Sequence, residues 1–269
     1  MESPKILYVS QEIAPYLPDS PVSVLGRYLP QGILDAGKEI RTFMPRFGCV
    51  NERRNQLHEV IRLSGLNIVI DDVDHPLIIK VASIQAARMQ IYFIDNDDFF
   101  TRKGTHVDVK SGEIYPDNDE RSIFFARGVL ETTKKLRWVP DIIHLQGWFT
   151  VMVAVFRRFL MQDDPYFQNA KIVLSLFDEE WEGQWSDVQR KLWVEGIDTK
   201  GIDSLDIHDY QSLMFAAIDL ADGICIASDK VSQPLVDYAR KSGKPVMDFP
   251  GSENFIPAYN DFYDKILAL

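Results

Sequence analysis

A chain of 269 residues, 46% of them hydrophobic, is long enough to bury a substantial core and too apolar to be disordered. Its formal charge of -11, with a pI near 4.9 and no basic run interleaved with aromatics, sets the whole-molecule field against a phosphate backbone and argues against nucleic acid as a partner. No stretch approaches the roughly 20 apolar residues of a membrane span, MESPKILYVS is too short and too weakly basic for a signal peptide, and Cys49 and Cys225 stand far apart, all as expected of a soluble cytoplasmic protein with reduced thiols.

Short β-rich runs alternate with helical patterns, the pattern of a parallel sheet with crossover helices. In chain order the strands are expected at ILYVS (6–10), EIRTFM (39–44), LIIKVAS (77–83), QIYFID (90–95), DIIHL (141–145), KIVLSL (171–176), GICIAS (223–228) and PVMDF (245–249). Helices are expected at 22–36, 119–136, 148–160, 186–194, 208–220 and 229–242, with a closing amphipathic helix near 253–267. Gly37, Pro140 and Gly243 supply stop signals after three of them. In VIRLSGLNIVIDD, Ser64-Gly65 lies between two alternating runs and predicts the turn of an inserted β-hairpin. The fold class is α/β, a doubly wound parallel sheet with that hairpin, in a single domain over 1–269.

The turn from first strand to first helix, LPDSPVS, lies where open α/β sheets hold phosphates, yet it has neither glycine nor lysine. Ser20 or Asp19 suits a helix N-cap, with Pro21 in the first turn, where its missing N–H costs nothing. The five histidines lack metal-ligand spacing, and DDVDH (71–75) and DNDD (95–98) read as solvated turns. Metal ligands and cofactors are therefore assigned to no residue. The absence of a G-x-G-x-x-G run weakens a dinucleotide-binding reading.

The ordered segments KILYVSQEIAPY, LPQGILDAGKEIRTFMPRFG, FFTRKG, YPDNDERSIFFARGVLE, WVPDIIHLQGWFT and AAIDLADGICIASDKV resemble the N-terminal lobe of bacterial glycogen synthases and plant starch synthases. The resemblance runs from Lys5 to about Val231 and implies the Rossmann-like half of a GT-B retaining glucosyltransferase. In that family this lobe holds the glucan acceptor and a second lobe grips the sugar nucleotide; the chain is expected to end where the second lobe would begin.

Against the family pattern, Pro18 falls at a phosphate-facing lysine, Ser20 and Pro21 at two glycines, and Val24 at an aspartate. In HLQGWFT, Gly147 replaces an aspartate and Phe149 a histidine, while His144, Trp148 and Thr150 persist. In SLFD, Phe177 replaces a histidine and Asp178 an asparagine, and the acidic, aromatic run DEEWEGQW (178–185) follows. His106 or Val107 stands near a family tyrosine. In YPDNDERSIFF, Asp117 or Asn118 is expected to cap a helix and Arg121 to tie the insert to it. His144 is expected to be a hydrogen-bonded core residue, and Trp148 either a core residue or a sugar contact.

No residue is assigned a catalytic role. Glu12, Tyr16, Trp148, Asp178 and Trp181 follow strand ends and are expected to line one open face as substrate-binding residues, taking an α-glucan weakly. The resemblance with its substitutions implies a glucan-binding or regulatory protein of glycogen biosynthesis. The alternative is half of a split ADP-glucose or UDP-glucose glucosyltransferase, completed by a separate nucleotide-binding lobe or synthase chain.

Overall fold

A computed structural model describes residues 3–200, 202 and 205–269. The strands are β1 (Lys5–Ser10), β2 (Glu39–Pro45), β3 (His58–Glu59), β4 (Leu66–Ile70), β5 (Val73–Ile84), β6 (Met89–Asp95), β7 (Ile142–Gln146), β8 (Lys171–Leu176), β9 (Gly223–Ile226) and β10 (Val246–Met247). They form one sheet in the order β10-β9-β8-β7-β1-β2-β6-β5-β3, with β4 paired to β5. Pairings from β10 through β6 are parallel; β5 joins them antiparallel. Strands β1, β7 and β8 are buried along almost their whole length, which is why they read as continuous apolar runs.

The helices are α1 (Pro21–Asp35), α2 (Asp97–Phe100), α3 (Asn118–Lys135), α4 (Met152–Phe159), α5 (Val188–Val194), α6 (Tyr210–Leu220), α7 (Gln233–Lys241) and α8 (Phe255–Leu267). Ser20 caps α1 in a full capping box with Ser23, as one of the two expected candidates.

Several expectations are corrected. The hairpin turn is Asp71-Asp72, both in the left-handed region at φ 48° and 63°, and not Ser64-Gly65. Ser64 instead accepts the Ile79 N–H on its hydroxyl at 3.0 Å. The helix expected from 148 opens as a 3-10 turn, Trp148–Thr150, before α4. Asp117 occupies the N-cap position of α3 without capping, because its carboxylate takes two bonds from Arg102 at 2.9 and 2.6 Å. Asn118 turns its amide to the His106 carbonyl. Arg121 does tie down the preceding segment, donating to the carbonyls of Phe99 and Thr105 at 2.9 and 2.8 Å.

Helix α8 seals one face of the sheet. Gly32 and Gly223 are the hollows it fills: a Cβ on either would lie 2.4 or 2.5 Å from the Cδ1 of Ile256 or Ile266. Beneath it runs a buried polar chain. Tyr263 Oη lies 2.7 Å from His144 Nδ1, His144 Nε2 lies 2.8 Å from Ser175 Oγ, and Ser175 Oγ lies 3.1 Å from Tyr259 Oη. Burial pushes the His144 imidazole down to about 3, so the ring is neutral, with one nitrogen donating and the other accepting. His144 is thus the hydrogen-bonded core histidine expected. Removing one partner would strand a buried imidazole nitrogen, so Tyr263→Phe is expected to cost about 1–3 kcal/mol, read as a lower urea midpoint with an unchanged slope.

Candidate functional site at the strand reversal

The strand order reverses between β1 and β7: β2 and β6 lie to one side, β8 to β10 to the other. Loops leaving β1 and β7 therefore part in opposite directions, and open α/β sheets receive ligands in the crevice between them. Here the chain occupies that crevice itself. Gln11, one residue past β1, accepts the Phe149 N–H on Oε1 at 3.1 Å and donates from Nε2 to the Glu179 carboxylate. Gly147, one residue past β7, has φ 90°, and a Cβ there would sit 2.3 Å from Gln11 Cδ. Any side chain at 147 thus meets both backbone strain and the glutamine.

Glu179 keeps some exposure as a residue while its carboxyl end is enclosed. Burial, then the nearby Glu12 carboxylate, push it up to about 8, against the lowering effect of the Gln11 bond. Glu12 is half-buried and accepts the Ser20 hydroxyl at 2.6 Å; burial raises its carboxyl as well.

The five expected residues meet this geometry unequally. Asp178 is exposed and lines a hollow of about 440 Å3 with Ser20, Lys230, Phe249 and Phe255. Trp181 is half-buried and lines a second hollow of about 370 Å3 with Glu180, Glu182 and Tyr210. Tyr16 and Trp148 are corrections to the expected open face. Tyr16 is 7% exposed and sets its ring edge-on to Phe93. Trp148 is 4% exposed, because His106, Trp181 and Trp185 close around it at centroid distances of 4.7, 5.5 and 5.9 Å.

The replaced positions are packed rather than vacant. Phe149 and Phe177 are both buried, the former against Phe47 and Phe125. His106 has both ring nitrogens buried without partners, and burial lowers its affinity for a proton well below the usual histidine range. The acidic turns have structural work: Asp71 pairs with Arg190 at 2.5 and 2.9 Å, and Asn96 caps α2. Among the described residues, no group of three His, Cys, Asp or Glu side chains stands ready to hold a metal ion. Sequence reasoning missed Gln11 and Glu179; the acidic run 178–182 was the only signal toward the second.

Comparison with known proteins agrees with this fold. Residues 5–243 match the family model described as the starch synthase catalytic domain. The glycogen synthase of Chlorobaculum tepidum is 31% identical over 264 residues, covering 98% of this chain and 52% of that protein. That of Chlorobium luteolum is 34% identical over 179 residues, covering 66% and 37%. The chain spans about half the length of the curated relatives it matches, or less. The catalytic domain of starch synthase IV from Arabidopsis thaliana, solved bound to ADP and acarbose, superposes with a TM-score of 0.73 at 16% identity, over 94% of this chain and 55% of that one; the likeness is one of fold.

Two outcomes follow from the crevice. Introducing a carboxylate by Gly147→Asp should destabilise the fold by about 2 kcal/mol or more, since strain and overpacking add, and Gln11→Ala in the same chain should recover part of that loss in urea melts. Glu179 also sets a pH dependence. The unfolded carboxyl ionises near its ordinary value of 4.5 and the folded one near about 8, so the folded state holds the extra proton between them. Stability should fall as pH rises through that window and level off above it. Glu179→Gln should flatten the fall, measured by denaturation from about pH 5 to about pH 9.

Proposed function

This chain belongs to the starch synthase catalytic domain family, and from that membership we propose that it serves α-1,4-glucan (glycogen) biosynthesis as a glucan-binding or regulatory lobe that transfers no glucose by itself. The observation that carries the proposal is the self-filled crevice: Gln11, bonded to Glu179, stands where a side chain at position 147 would have to go. Retaining transfer needs fixed cations and amides to stabilise the leaving diphosphate. The loop before α1 offers Pro18, Ser20 and Pro21 instead, with Asp19 beside them.

The glucan part of the proposal rests on the 370 Å3 hollow. A half-buried indole and a phenol ring stand among Glu179, Glu180 and Glu182, a combination suited to the apolar faces and hydroxyls of sugars. Such a contact would be weak, made by stacking and hydroxyl pairing.

A second reading, a glucosyltransferase half that works with a nucleotide-binding lobe, is favoured by one observation. The 440 Å3 hollow has Lys230 on its wall, and α1 and α8 both begin at its edge, with no side-chain cap on α8. Asp19, Asp178 and Asp229 on the same wall oppose an anion there.

Assaying the chain with ADP-glucose or UDP-glucose and glycogen is expected to give no transfer; turnover that follows the pure protein through gel filtration would overturn the non-catalytic reading. Titration with maltoheptaose is expected to show millimolar binding that Trp181→Ala abolishes. Trp148→Ala is unsuitable because that indole is packed in the core. No binding at millimolar maltoheptaose would remove the glucan part.

A further inference from the structure

At the opposite end of the sheet lies a third hollow, of about 290 Å3. Its walls are Arg157 and Arg158 from the last turn of α4, residues 168–171 leading into β8, and Asp222 just before β9. In a chain where 40 acidic residues outnumber 29 basic ones, three cations gather here against one carboxylate. That carboxylate is already engaged, since Asp222 Oδ2 accepts the Ile172 N–H at 2.8 Å.

Arg157 is held in place. Its Nη2 donates to the carbonyls of Gln168 and Ala170 at 3.0 and 2.9 Å, and its Nε is buried with no acceptor. The side chains of Arg158 and Lys171 have no hydrogen-bond or ion-pair partner among the described residues. Burial makes Arg157 a weaker base than usual, opposed by the Asp222 carboxylate and helped by the charge of Arg158; burial and Arg158 act the same way on Lys244, which the carboxylates of Asp219 and Asp222 oppose. Like charges are crowded here, offset in part by Asp222.

Cations near helix C-termini commonly meet the partial charge of the last carbonyls. At the end of α6 that task falls to Lys244, which donates to the carbonyls of Ile218 and Asp219. Arg158 and Lys171 remain surplus to it.

We propose that this hollow binds a phosphate dianion, free or as the monoester of a small polyol. Two guanidinium groups and an ammonium match the charge and the several oxygens of phosphate better than those of a carboxylate. A volume near 290 Å3 leaves room beyond the phosphate, and the amides of Gln168 and Asn169 on the wall suit hydroxyls. The site lies at the amino ends of β8 and β9, away from the crevice after β1 and β7, and does not depend on the glucan reading.

Calorimetric titration of the whole chain at low ionic strength tests this, with inorganic phosphate and a hexose monophosphate as probes and sodium chloride of matched ionic strength as control. One saturable site is expected, weakened about tenfold or more in the double variant Arg158→Ala, Lys171→Ala. The melting temperature without phosphate should not fall, because neither side chain has a hydrogen-bond or ion-pair partner to lose. Tighter binding of the ester, with the margin lost in Asn169→Ala, identifies a monoester site; equal binding identifies free phosphate. No saturable heat through the millimolar range, or a smaller loss in the double variant, overturns the proposal.

Discussion

A single carboxamide wedged between two strand ends decides what this molecule can present at its strand reversal. Gln11 must satisfy the Phe149 N–H on one side and Glu179 on the other, and it does so only because position 147 carries no Cβ. A buried amide is costly unless both its ends are paired. Pairing the Nε2 end draws Glu179 inward, and the loop 178–185 comes with it. Trp181 and Trp185 then stack on each other at 5.3 Å and roof Trp148. The glycine at 147, closure of the crevice and burial of Trp148 are thus coupled in packing terms.

The face closed by α8 shows how the same sheet tolerates polar atoms in its interior. Tyr259 and Tyr263 of α8 meet Tyr8, His144 and Ser175 of the sheet below, and the chain of short contacts fixes one ring nitrogen as donor and the other as acceptor. Such a chain is specific in a way that apolar packing is not, since displacing α8 would strand several polar atoms at once. Lys38 adds an anchor at the edge, bonding Asn260 and Asp264 at 2.7 and 2.8 Å. The helix that closes the described fold is therefore held by chemistry as well as by shape.

Much of this architecture was legible from periodicity, because buried parallel strands write themselves as apolar runs and the Ser20 cap is a local signal. What failed to show depended on partners distant in sequence. Ser64-Gly65 has stronger turn chemistry than Asp71-Asp72, yet the alternation of β4 and β5 sets the register and places two aspartates at the bend, one of them paired with Arg190. Asp117 looked like a cap until Arg102, 15 residues earlier, claimed its carboxylate. Trp148 and Tyr16 follow strand ends in sequence, but following a strand end does not fix which way a side chain turns. Gln11 gave no signal because its role exists only where β1, β7 and the loop after β8 meet.

The two ends of the sheet carry opposite charge. Helix N-termini gather at the carboxyl ends of parallel strands and would favour anions there. This sequence places Glu12, Asp19, Asp178, Glu179, Glu180 and Asp229 at that end instead, and raises the carboxyl of Glu179 enough to keep it protonated near neutrality. Helix C-termini gather at the amino ends, where cations are favoured, and Arg157, Arg158, Lys171 and Lys244 exceed what the carbonyls there engage. A field of this polarity works against anions at the crevice and in favour of them at the far end.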